Sequence, residues 1–137
     1  MKILLVDDHK LITEGMEALL QNQEKLDLEI VGKLKSGREA IAFIENNEVD
    51  IVIMDVNMPD MDGIKAAEII KEHYQKVKII FLSMHNKEGY AKNAAQIGVE
   101  GYLLKDGNLE ELLEAIEKVN NGGIHYAEEV SSLLVRK

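Results

Sequence analysis

The 137-residue chain is 46% hydrophobic and 30% charged, has no cysteine and carries a formal charge of −9. That balance suits one compact domain, and the absence of cysteine excludes disulfide and thiolate chemistry and fits a cytoplasmic protein. The negative charge argues against this chain alone gripping nucleic acid, which needs a basic footprint; no apolar run approaches the ~18 residues of a membrane span, and the acids of MKILLVDDH stand where an export signal wants small residues.

Ile3 to Val6 (ILLV) reads as a short buried strand. From about His9 to Gln23, Ile12, Met16, Leu19 and Leu20 recur at helical spacing. Leu28 to Val31 starts a second strand, and Ser36 with Glu39 has capping-box spacing, so a helix holding Ala40, Ile41, Phe43 and Ile44 begins there. Ile51 to Met54 is a third apolar run, followed from about Gly63 by a helix with Ile64, Ala67 and Ile70. Val77 to Leu82 is the fourth strand. The helix after it, roughly Lys87 to Ile97, is unusual: apart from Tyr90 and Ile97 its apolar positions are alanines, Ala91, Ala94 and Ala95. Such a stripe suits either weak docking that can shift or close helix–sheet packing. Gly101 to Leu104 is the fifth strand. Asn108 with Glu111 caps a last helix whose stripe is Leu109, Leu112, Leu113, Ile116 and Val119, stopped by Gly122-Gly123.

Five strand–helix units with continuous apolar strands imply a parallel sheet covered on both faces. Right-handed crossovers favour an α/β doubly wound sheet of order 2-1-3-4-5, flavodoxin-like, whose ligand crevice lies at the carboxyl ends of the strands. At those ends stand Asp7 and Asp8, then Asp55, Ser83 and Lys105. Any one polar strand end is explained by solvated loops, but three acids, a hydroxyl and an ammonium converging on one crevice are not. Two carboxylates 4 Å apart repel by about 4 kcal/mol at an effective dielectric near 20, so the cluster raises its pKa values, stays wet or binds a cation. A few oxygen donors suit Mg²⁺ and not zinc; the histidines, His9, His73, His85 and His125, are scattered and read as surface or loop residues. Lys105 and Ser83 beside such a site make a receptor for phosphoryl oxygens. Asp55, on the central strand, is the candidate nucleophile for an aspartyl-phosphate. Asn57 is placed to offer its backbone carbonyl to the metal, Pro59 to stiffen the loop, and Gly63 to permit a turn into the helix. Asp60 and Asp62 read as solvated loop acids or helix-start residues.

The motifs VDDH (Val6 to His9), MDVNMPDMDG (Met54 to Gly63), LSMH (Leu82 to His85) and GYLLKD (Gly101 to Asp106), in this order and spacing, resemble the receiver domain of two-component response regulators. The resemblance implies that Asp55 is the phosphoacceptor, that Asp8, Asp55 and the Asn57 carbonyl bind Mg²⁺ with Asp7 in support, and that Ser83 and Lys105 hold the phosphoryl group. It makes Tyr102 the switch aromatic, which turns inward when Ser83 moves towards the phosphate, and places Asn57 and His85 beside the route of the hydrolytic water. Many receivers carry proline after the lysine; Asp106 there resembles the NarL/FixJ subfamily, whose members carry a LuxR-type DNA-binding domain. Residues 1–122 are then the receiver, and 123–137, with Val130, Leu133 and Leu134 on one side of a short helix, resemble the linker to a DNA-binding domain outside this chain. The alternative is a stand-alone receiver with a C-terminal amphipathic helix.

The partners implied are a sensor histidine kinase and, on phosphorylation, a second copy of the chain, through helices 1 and 5 or the face of helix 4, with no membrane contact. The receiver is not a conventional enzyme: it catalyses its own phosphorylation and dephosphorylation. A Mg²⁺ phosphatase with an aspartate nucleophile would want an acid where Asn57 stands. A flavin mononucleotide protein would want a hydroxyl-rich phosphate loop where Asp7-Asp8 would repel phosphate.

Overall fold

The structure is a computed structural model that describes residues 1–58, 61–84 and 88–134, with Glu88 and Leu133 described in backbone alone. Pro59, Asp60 and His85, discussed above, lie outside the described residues. The elements run β1 (Lys2–Val6), α1 (Lys10–Asn22), β2 (Glu29–Leu34), α2 (Gly37–Asn46), β3 (Ile51–Asp55), α3 (Gly63–His73), β4 (Lys78–Ser83), α4 (Glu88–Ile97), β5 (Gly101–Leu104), α5 (Leu109–Asn120), β6 (His125–Tyr126) and α6 (Glu128–Leu134). The strands form one parallel sheet of order β2-β1-β3-β4-β5-β6. The doubly wound order read from the sequence is present, extended by a sixth strand. That strand had no sequence signal because it is two residues long, too short for any periodicity to register. No helix among the described residues is long and apolar enough to cross a membrane.

The central strands are apolar because both their faces are covered. Ile3, Leu4, Ile51, Val52, Ile79, Ile80 and Phe81 are all fully buried, and burying a side chain of this size stabilises by about 1.5–3 kcal/mol. β2, at the edge, is only partly buried, and the strand that the apolar residues Leu28 to Val31 start runs on to Leu34. Edge pairing with β1, not hydrophobicity, carries its second half.

Local chemistry fixes the helix ends. Ser36 Oγ accepts from Glu39 N at 3.2 Å, while Glu39 Oε1 reaches back to Lys35 N at 2.8 Å, a capping box displaced by one residue. Asn108 Oδ1 accepts from Glu111 N at 2.8 Å and starts α5; Asp62 Oδ1 accepts from Lys65 N at 2.8 Å and starts α3. α5 ends in a Schellman motif. Gly122 takes φ +92°, its N–H donates to Val119 O at 3.1 Å, and Gly123 N–H donates to Lys118 O at 2.8 Å.

Two helix faces differ from their sequence patterns. In α1, Leu20 is buried, but Ile12 and Leu19 are exposed and Met16 is half-buried. The helical period was right, but most of the stripe faces outwards, where with Leu11 it borders a shallow apolar groove against Leu109 and Leu112 of α5. In α4, Ala91 and Ala94 are fully buried but Ala95 is exposed, so the packed face of this helix runs through the first two alanines and not the third. The C-terminal segment folds back onto the sheet edge. Ala127 N–H donates to Tyr102 O at 2.9 Å, Tyr126 Oη donates to Val99 O at 2.8 Å, Val130 is buried, and α6 packs on α4.

Candidate functional site

Parallel register brings the polar strand ends together. Val6 lies level with Met54, Asp55 with Leu82, and Ser83 with Leu104. Each strand therefore stops within one residue of its neighbour, and the next side chains fall into one crevice. Backbone bonds anchor the exits: Asp7 N–H to Leu34 O at 2.9 Å, Val56 N–H to Leu82 O at 3.2 Å and Lys105 N–H to Ser83 O at 2.9 Å.

In that crevice Lys105 Nζ stands 2.6 Å from Asp7 Oδ2 and 3.3 Å from Asp55 Oδ2, with all three side chains 5% exposed. Asp55 Oδ1 accepts from Asn57 N–H at 3.2 Å. Burial pushes the Asp55 carboxyl above the usual carboxylate range; the Lys105 charge pulls it back, and Asp7 pushes it further up. Asp8 is exposed and borders the crevice from the loop after β1.

His9 is exposed in the loop after β1, as read from the sequence, and its ring also reaches this cluster. Its Nδ1 lies 2.9 Å from Asp7 Oδ1 and 3.3 Å from Asp8 Oδ1, and its backbone N–H also donates to Asp7 Oδ1 at 2.9 Å. The hydrogen bond to Asp7 raises its pKa, and the charges of Asp8 and Asp7 add to that. The available signal was its position: it follows two strand-end acids directly and precedes the first residue of α1.

Ligand atoms of Asp7, Asp8, His9 and Asp55 all lie within 4.8 Å of one another. Three of the four are carboxylates, and Asp7 Oδ2, although beside the Lys105 ammonium, is buried without a well-aligned hydrogen bond. An oxygen-rich set with lone pairs to spare fits a hard divalent cation.

Gly63 has a reason different from the conformational freedom inferred from sequence. Its φ is not in the left-handed region; instead a Cβ there would collide with the backbone carbonyl of Asp55 and crowd Val56 Cα. Its N–H donates to Val56 O at 2.7 Å, so α3 is clamped directly onto the backbone that carries Asp55.

Behind the crevice, Ser83 is buried at the end of β4 and Tyr102 is fully buried on β5. The Tyr102 ring packs edge-on against Phe81 (centroids 5.9 Å apart) and tilted against Tyr126 (6.1 Å). Its hydroxyl lies beside Ser83 without a well-formed hydrogen bond, and burial raises its pKa. Asn57 is exposed at the rim, where its Oδ1 accepts from Tyr90 Oη of α4 at 3.0 Å.

Comparison with known proteins identifies the domain. Residues 3–117 match the response regulator receiver domain. The chain is 32% identical over 136 residues to the transcriptional regulatory protein DegU of Brevibacillus brevis, covering 99% of this chain and 57% of that one. It is 38% identical over 128 residues to the transcriptional regulatory protein DesR of Bacillus subtilis, covering 93% and 62%. The chain thus spans about three fifths of the length of these relatives. A structure of the RcsB response regulator of Salmonella typhimurium superposes with a TM-score of 0.91 at 28% identity, covering all of this chain and 70% of that one. The chain belongs to the response regulator receiver domain family.

Proposed function

We propose that Asp55 accepts a phosphoryl group from the phosphohistidine of a sensor kinase and that Mg²⁺ assists. The observation that carries this reading is the placement of Asp55: a carboxylate at the end of a buried strand, in contact with a buried ammonium and beside two further acids. Asp55 oxygen attacks phosphorus in line, the phosphorus–nitrogen bond breaks, and its electron pair returns to the imidazole of the donor. Lys105, already at Asp55, offsets charge on the equatorial phosphoryl oxygens, and Ser83 serves as their hydroxyl partner. Asp7, Asp8, Asp55 and the Asn57 carbonyl would hold Mg²⁺, which when bound supplies positive charge to phosphoryl oxygens. Catalysis of this self-modification and its reversal is the receiver's own, so a small acyl phosphate also serves as donor.

The switch passes through Ser83 to Tyr102 and onwards to α4, β5 and α5, with a homodimer as the phosphorylated form. Residues 1–122 form the receiver proper, and 123–137 lead towards a LuxR-type DNA-binding domain in a longer cytoplasmic regulator. The relatives named as transcriptional regulatory proteins and the RcsB–DNA complex support that output.

Incubation with Mg²⁺ and acetyl phosphate, read by intact mass, tests the proposal. One phosphoryl adduct is expected, absent without metal and absent in Asp55→Ala. An adduct that survives Asp55→Ala would refute the assignment.

A further inference from the structure

Tyr90 is, with Ile97, one of two bulky residues on an otherwise alanine-faced helix. The buried contacts of α4 are made by Ala91 and Ala94, whereas Tyr90 is half-buried and reaches across to the loop after β3. There its hydroxyl donates to Asn57 Oδ1 at 3.0 Å. Asn57 stands two residues after Asp55, and its backbone N–H is bonded to Asp55 Oδ1. Its side chain is exposed and would otherwise sample several rotamers. The bond from Tyr90 selects one of them and engages the amide oxygen.

That amide oxygen is an acceptor next to the reacting carboxylate. Hydrolysis of an acyl phosphate on Asp55 needs a water whose oxygen bonds to phosphorus while the bond from phosphorus to the Asp55 oxygen breaks. The electron pair returns to the carboxylate, and a water proton leaves with inorganic phosphate or to solvent. An unengaged Asn57 oxygen would accept a hydrogen bond from that water and orient it. We propose that Tyr90 is a positioning residue that lengthens the life of the phosphorylated state by engaging the Asn57 amide oxygen, which would otherwise orient the attacking water. It rests on the phosphoacceptor reading and deepens it: the position of α4 feeds back on how long the phosphoryl group stays. Because the tether spans two elements, a displacement of α4 by a bound partner would release Asn57 and shorten the signal.

The test separates formation from decay. The full chain is phosphorylated with Mg²⁺ and acetyl phosphate, the donor is removed by rapid desalting, and the adduct is followed by intact mass. Tyr90→Phe keeps the ring and removes only the hydroxyl. It should shorten the adduct half-life roughly 2- to 10-fold, the range expected for one hydrogen bond. In an Asn57→Ala background, which lacks the acceptor, Tyr90→Phe should change the half-life no further. A half-life unchanged or lengthened by Tyr90→Phe overturns the proposal, as does the same shortening in both backgrounds, which would mean that Tyr90 acts through packing. Absence of any adduct on the unmodified chain would overturn the phosphoacceptor reading, and this proposal with it.

Discussion

Asp55 is held in a state that costs folding free energy. Burial is the largest influence on its carboxyl and raises its pKa, so the ionised form is worse accommodated in the folded chain than in the unfolded one. The sign follows: a carboxyl with a raised folded pKa destabilises at pH values above that pKa, and the penalty fades as pH falls through it and the group takes up its proton. Asp55→Asn removes the charge while Lys105 keeps its closer partner Asp7. In metal-free buffer at pH 7.5 the variant should therefore melt higher, with the gap closing as the pH falls into the acid range. Thermal melts across that range would check it, and a variant less stable at pH 7.5 would show that the Lys105 pair outweighs burial. Asp7, Asp8, Asp55, Ser83 and Lys105 were all legible because strand ends in a doubly wound sheet share one edge. His9 was not, because its role depends on a side chain folding back onto residues adjacent in sequence, and Tyr90 was not, because its partner lies 33 residues away.

At the scale of elements, the joint between β3 and α3 leaves no room for a side chain at Gly63. A Cβ on Gly63 would meet the carbonyl of Asp55, the proposed phosphoacceptor, so a methyl there must push either α3 or the Asp55 backbone. Gly63→Ala should cost about 1–3 kcal/mol, measured as a fall in denaturant midpoint. It should also slow the proposed phosphorylation, because the displaced atoms carry the Asp55 carboxylate. A variant as stable and as reactive as the parent would show that the joint gives freely. The helix starts at Ser36 and Asn108 were readable from side-chain chemistry spaced three residues apart, and these bonds form as expected. Burial faces were less readable: α1 has a helical period of apolar residues, yet Ile12 and Leu19 face out. Periodicity reports that a face is apolar, not what lies against it.

Across the whole molecule, the order of five strands followed from apolar runs alternating with amphipathic helices, while the sixth strand needed tertiary information. β6 exists because the chain turns at Gly122 and Gly123, after which His125 N–H meets Glu100 O and Ala127 N–H meets Tyr102 O. Its two residues have a consequence for colloidal behaviour. A sheet margin of unsatisfied amides and carbonyls is adhesive towards other chains, and very short marginal strands blunt that tendency. At the opposite margin, β2 carries Lys33, held by Glu17 at 2.7 Å, as its own deterrent. Cutting the chain after Gly122 would uncover the apolar margin of β5, Gly101 to Leu104, and the ring of Tyr102 behind Tyr126. The shortened protein should melt lower and scatter light at concentrations where the full chain stays clear; equal clarity would mean that β5 has protection of its own. Two residues of strand and seven of helix thus act as a selvedge, the finished border that keeps a woven sheet from catching on its neighbours.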